Sequence, residues 1–287
     1  EETPAGAYFR IYVKGLKGGH SGDDINKGLG CANKLLNRIL WAADKEMDMR
    51  LATFDGGNLR NAIAREAYAD VVVMEQEAED LKQLVAKYSD ELRYEFRTTE
   101  PNMQVGIEAI PMPEFVVDML SQDNLLNVLY ACPHGVLSMS REIPGFVETS
   151  TNLASVKMQE GYFMITTSQR SSLESAKDAA ASRVESCFLL AGADVEHTDG
   201  YPGWSPNTDS YVLKVAVESY KRLFGKEPIV RAIHAGLECG LIGEKYQGMD
   251  MISYGPTLRG VHSPEERLEI ATVELFWRHT LDILKNI

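Results

Sequence analysis

The sequence predicts an α/β chain in two regions, and three observations carry that expectation. Short runs of alternating apolar residues are separated by runs with apolar residues at helical spacing. Up to about residue 193 the order of these runs is mixed, as in an α+β unit with helices on one side of a small sheet. From about residue 194 the order becomes strand–helix, repeated three times, which is half of a doubly wound sheet. Three such strands leave an open edge and an unfilled core, so the second region is expected to need a partner half.

Composition narrows the function classes. The chain has 287 residues, 44% hydrophobic and 25% charged, which suits a globular protein large enough for two domains. A net charge of -13 without a Lys/Arg cluster argues against nucleic-acid binding. No apolar run reaches the length of a membrane span. Cys31, Cys132, Cys187 and Cys239 form no C-x-x-C pair and read as reduced, buried thiols of a cytoplasmic protein. The chain opens Glu1-Glu-Thr-Pro-Ala-Gly, with neither initiator Met nor signal-peptide core, as expected of a processed chain or one that starts inside something larger.

Ala7 to Lys14 alternates as a strand. Gly15-Leu-Lys-Gly-Gly-His-Ser-Gly22 follows, and its four glycines present His20 on a loop, as an exposed turn histidine or as a ligand contact. Asp23 or Asp24 is placed to cap a helix over 26–43, with Leu29, Leu36 and Ile39 on its apolar face. Strands are expected over 50–54 and 67–74, and a helix over 75–88. Between the strands, Asp55-Gly-Gly-Asn is a turn followed by Asn61; such asparagines serve the backbone or donate to an oxygen. A strand over 103–110 and a helix over 114–130 come next. His134 reads as a turn residue. Val147 to Gln159 and Tyr162 to Ser168 form a hairpin, with Arg170 just beyond it, as a surface ion pair or a carboxylate grip. A helix over 173–191 closes the region.

In the second region, strands are expected at 195–198, 228–232 and 249–253. Asn207 or Asp209 is placed to cap a helix ending near Phe224, and the last helix runs 267–284. His262 lies between the last strand and that helix, at the carboxyl end of the strand, where ligands and metals collect in open α/β sheets. Glu238 and Cys239 open a helix, for packing or for contact with a substrate amine. His197 and His279 read as structural or surface groups.

Seven segments, in this order, resemble one family. They are Gly15-Leu-Lys-Gly-Gly-His-Ser-Gly-Asp-Asp-Ile25, Gly56-Gly-Asn-Leu-Arg-Asn-Ala-Ile63, Glu148-Thr-Ser-Thr-Asn152 and Ser168-Gln-Arg-Ser-Ser172. Gly200-Tyr-Pro-Gly-Trp-Ser-Pro-Asn207, Ala232-Ile-His-Ala-Gly-Leu-Glu-Cys-Gly240 and Gly255-Pro-Thr-Leu-Arg-Gly-Val-His-Ser-Pro-Glu265 complete the set. The chain resembles the carboxy-terminal part of the aminoacyl-histidine dipeptidases (Xaa-His or cytosol non-specific dipeptidases), a branch of the di-zinc peptidases. That resemblance implies a lid domain at 1–193, covering substrate and mediating dimerisation. It makes 194–287 the C-terminal portion of an α/β catalytic domain whose N-terminal part is absent.

The resemblance also assigns roles. It makes His262 a zinc ligand and His20 the lid histidine that stabilises the tetrahedral intermediate. Asn61 lies near the substrate, Arg170 takes its terminal carboxylate, and the Gly236 backbone lines the site. It implies two zinc ions, with cobalt or manganese admitted by the same donors, a dipeptide substrate and a homodimer formed through the lid. The resemblance places the family's His-x-Asp motif, bridging aspartate, Glu-Glu pair and further aspartate upstream of the segments matched here, and Glu1-Glu2 is not that pair. One imidazole falls short of the roughly four donors a zinc needs, so the chain alone is expected to be inactive. The competing reading is a lid-derived dimerisation or binding module without catalysis.

Overall fold

The computed structural model describes residues 1–198, 200, 202–204, 207, 209–231, 238–259 and 266–287. Among these, residues up to 198 form one compact unit and residues from 200 onward another. The first unit contains β1 (Ala7–Lys14), β2 (Gly19–His20), α1 (Ala32–Glu46), β3 (Arg50–Gly56), β4 (Ala62–Ile63), β5 (Ala67–Val73) and α2 (Ala78–Glu95). It continues with β6 (Gln104–Ala109), α3 (Met119–Ala131), β7 (Gly135–Met139), β8 (Val147–Gln159), β9 (Tyr162–Ser171) and α4 (Glu174–Leu190).

Seven strands make one antiparallel sheet in the order β6-β1-β5-β3-β8-β7, with β9 also paired to β8. β2 and β4 form a separate ladder. The alternation seen in β1 has a physical cause: Phe9, Ile11 and Val13 point into the main core, while Tyr8 packs with Ala52, Val72 and Val116 in a second cluster. The helices adjoin one another in the order α2-α1-α3-α4 against the sheet. α1 supplies the centre of the core with Leu36, Ile39 and Leu40, all fully buried.

Several expectations shift for identifiable reasons. α1 starts at Ala32 rather than 26, because Gly28 sits at φ 68°, a left-handed conformation that a right-handed helix cannot pass through. Asp24, expected as its cap, instead caps the turn that carries His20. α3 starts at Met119, capped by Asp118, which accepts from Ser121 N at 3.0 Å. The residues before it are pulled into extended pairings, Phe115 with Glu2 and Val117 N with Leu51 O at 2.7 Å. β7 went unpredicted because register irregularities at Ser138 and Met139 break its alternation. β9 outruns its predicted end because its ladder with Thr149 and Ser150 continues through Ser171. His134 is no plain turn residue: its Nδ1 accepts from Leu153 N at 3.1 Å. Burial pushes the His134 pKa down, but neighbouring Cys31 outweighs it and leaves the ring above its ordinary value. All four cysteines are free, with Cys31 and Cys132 buried.

The second unit contains α5 (Tyr211–Phe224), α6 (Glu238–Lys245), β10 (Leu258–Arg259), β11 (Arg267–Leu268) and α7 (Ala271–Asn286). Ser210, not Asn207 or Asp209, caps α5 by accepting from Leu213 N at 3.0 Å. Ser219 donates to Asp282 at 2.6 Å, Arg222 pairs with the same carboxylate, and His279 donates to Ala216 O at 2.9 Å, so α5 holds α7. The strands expected at 195–198, 228–232 and 249–253 are not formed among the described residues, and Arg267–Leu268 is a short strand rather than the start of α7. A parallel strand exists only in a ladder, and these runs have no ladder partner among the described residues. Ile229 and Val230 are 77% and 57% exposed.

Candidate functional site

The candidate site is assembled by the two shortest strands of the first unit. In the β2–β4 ladder, Gly19 faces Ile63 and His20 faces Ala62. The same join is extended by Ser21 N, which donates to Asn61 O at 2.8 Å. His20 and Asn61, forty-one positions apart, are thereby fixed on adjacent backbones.

The turn after His20 sets the ring's chemistry. Asp24 Oδ2 accepts from His20 N at 2.7 Å, and Asp24 N donates to His20 O at 3.0 Å. Burial raises the Asp24 pKa, but Lys27 and the His20 amide outweigh it and hold the carboxyl below its ordinary value. His20 Nδ1 accepts from Gly22 N at 3.1 Å and Asp23 N at 3.3 Å. An Nδ1 that accepts carries no proton, so Nε2–H is the ring's donor.

Arg170 enters from β9. It lies within the strand, paired with Ser150 of β8, rather than beyond the hairpin. Its Nε donates to Ser21 Oγ at 3.2 Å. Its terminal nitrogens carry no hydrogen bond or ion pair among the described residues. Burial lowers the Arg170 pKa, Asp23 opposes that shift, and the charge of Arg60 adds to it. The guanidinium is a half-buried cation with both terminal nitrogens to spare, in a region that already holds a second arginine, Arg60.

Ser21, 1% exposed, joins the three groups: it follows His20, bonds Asn61 through its amide and Arg170 through its hydroxyl. Sequence reading missed it, and it missed Asn152, whose Nδ2 donates to Arg60 O at 3.2 Å and Ala62 O at 2.8 Å. The signal was present in the Glu148-Thr-Ser-Thr-Asn152 segment, but nothing in one sequence says which backbone Asn152 reaches. Gly236 and His262 lie outside the described residues. Glu238 and Cys239 open α6, with Cys239 half-buried and raised above its ordinary pKa by burial and by Glu238.

Comparison with known proteins gives these contacts a context. The peptidase dimerisation domain matches residues 6–100. A cytosol non-specific dipeptidase of Escherichia coli is 42% identical over 288 aligned residues, covering 100% of this chain and 59% of that protein. The crystal structure of an aminoacylhistidine dipeptidase from Vibrio alginolyticus superposes with a TM-score of 0.91 at 39% identity, covering 100% of this chain and 59% of its own. The chain thus spans about three fifths of the length of both relatives, and along its whole length it is homologous to part of the aminoacylhistidine and cytosol non-specific dipeptidases.

Proposed function

We propose that this chain serves dipeptide hydrolysis, Xaa-His substrates included, as the lid (1–193) and C-terminal catalytic portion (194–287) of a two-metal dipeptidase. The observation that carries this reading is the gathering of His20, Asn61 and Arg170 around Ser21. Arg170, with its terminal nitrogens unengaged, can grip the C-terminal carboxylate of a dipeptide bidentately. That grip sets the register of the substrate. The Nε2–H of His20 can donate to the scissile carbonyl oxygen as it gains negative charge, a contact strongest in the transition state. The Asn61 carboxamide, half-buried and without a hydrogen bond among the described residues, is available to the substrate backbone.

By resemblance, His262 is proposed as a metal ligand and the Gly236 backbone as a lining of the substrate site. Among the described residues no group of three or more His, Cys, Asp or Glu is placed to hold a metal ion. The described residues do not themselves form the metal pair. Two zinc ions, or cobalt or manganese in their place, are assigned to the whole protein, and the chain alone is proposed to be inactive. Similarity to a cytosol non-specific dipeptidase supports a cytoplasmic location. The match of residues 6–100 to a dimerisation domain supports a homodimer formed through the lid. That match also favours a second reading, a dimerisation module without catalysis.

The test is kinetic, in the full-length protein. His20→Ala lowers kcat by roughly a hundredfold to a thousandfold, as loss of one oxyanion donor does, with little change in thermal stability. Arg170→Ala raises KM for a dipeptide but not for its C-terminally amidated analogue. Wild-type kcat/KM in both variants would overturn the reading and favour the dimerisation module.

A further inference from the structure

Asn152 has a geometry that core packing does not require. It lies in the middle of β8, 1% exposed, beside the fully buried Leu153. A buried carboxamide is costly unless its polar atoms are engaged. Both engaged contacts of Asn152 run to one short stretch of backbone, Arg60 O at 3.2 Å and Ala62 O at 2.8 Å. Its Oδ1 is buried without a partner among the described residues. The two bonds straddle Asn61, whose own carbonyl accepts from Ser21 N. Ala62 is also the ladder partner of His20. On the other side, β8 pairs with β9 so that Ser150 faces Arg170 and Asn152 faces Ser168. Asn152 and Arg170 are therefore diagonal neighbours across one ladder.

We propose that Asn152 is the positioning residue of this site: its carboxamide clamps the Arg60–Ala62 backbone, and through it places Asn61 and His20 in register with Arg170. A β2–β4 ladder of two residues per strand is too short to be stable by itself. The clamp anchors it to the longest strand of the sheet. Asn152 touches no substrate in this scheme; it acts through the residues it holds. The inference rests on the function proposed above.

Asn33 provides a matched control. It is equally buried, and its Nδ2 donates to two backbone carbonyls of the same strand, Leu153 O at 3.3 Å and Ala154 O at 3.4 Å, but it ties α1 to β8 rather than the site. In the full-length protein, Asn152→Ala lowers kcat roughly tenfold to a hundredfold, the scale expected for reacting groups displaced by about an ångström. KM changes less, because Arg170 keeps its own strand. Exchange of the Ser21 amide hydrogen speeds up by roughly tenfold or more, reporting local opening. Asn33→Ala loses comparable stability but leaves both readouts near wild type. Asn152→Ser, which keeps a shorter donor, recovers part of both. Unchanged Ser21 exchange in Asn152→Ala, or an equal loss of kcat in Asn33→Ala, overturns the positioning role while leaving the proposed function standing. Insensitivity of turnover to His20→Ala and Arg170→Ala would instead remove the function on which the inference rests.

Discussion

Glu100 shows how a single side chain builds the approach to the site. It is 3% exposed, and its carboxylate accepts from Lys17 N at 2.8 Å and Gly30 N at 2.9 Å. It thus ties both ends of the segment that carries His20. Glu100→Ala leaves the buried Gly30 amide and the part-buried Lys17 amide without their acceptor and is expected to cost about 2 kcal/mol, read as a lower denaturant midpoint at unchanged slope. Gly57 is constrained by space and conformation together. Its φ is 65°, and a Cβ there would meet Ala154 O at 1.9 Å. Gly57→Ala should destabilise by about 2 kcal/mol or more, and a wild-type melting temperature would contradict the close approach. At this scale local placement was legible where glycines and strand patterns mark it: His20 on a glycine-framed turn, Asn61 after a turn, Arg170 near the end of β9. Ser21 and Asn152 act through bonds to residues as far as 149 and 92 positions away, so no local pattern marks them.

The elements are joined by polar contacts at their ends. Lys34 of α1 donates to Leu129 O at 2.6 Å and to Tyr130 O and Cys132 O at 2.8 Å, capping the carboxyl end of α3 with a positive charge. Lys34→Met keeps the aliphatic stem but strands those carbonyls; a loss of about 2 kcal/mol is expected, with faster amide exchange in the last turn of α3. Arg38 of α1 grips Glu95 at the end of α2 with bonds of 2.8 and 2.9 Å and holds its carboxyl below the ordinary value of 4.5. A depressed folded pKa means the pair stabilises fully above that ordinary value and less as pH falls through the lower, folded one. Both side chains are about a third or more exposed, so screening keeps the contribution below about 1 kcal/mol. Wild type and Glu95→Gln should differ in stability at neutral pH and converge in acid; a gap that persists in acid would count against the pair. Sequence periodicity located β1, β5, β8 and most helices. It failed at β7, whose register slips, and ahead of α3, where Val117 is claimed by Leu51.

For the whole molecule, the two units differ in how much they bury. Nearly all of the fully buried side chains lie at or before residue 198, while in the second unit Ala216 and Ile283 are the buried apolar residues among those described. On α7, Trp277 and Leu284 are 57% and 66% exposed. Limited proteolysis of this chain expressed alone is expected to trim the second unit first and leave a resistant product ending near residue 198, identified by intact mass. Equal digestion of both units would contradict it. The helices α5, α6 and α7 were legible in the sequence after residue 194, but the order of apolar runs does not provide ladder partners, and the expected parallel strands do not form among the described residues.

The side chains of β8 alternate between two tasks, and this links correct folding to a competent site. Leu153 fills the core while its neighbour Asn152 clamps the backbone beside His20. A slip of one residue would exchange their faces, placing a carboxamide in the hydrocarbon interior and a leucine against two carbonyls. Misregistered molecules would therefore be unstable as well as inert. The strand proofreads itself: a chain that survives folding with β8 in place has already aligned its site.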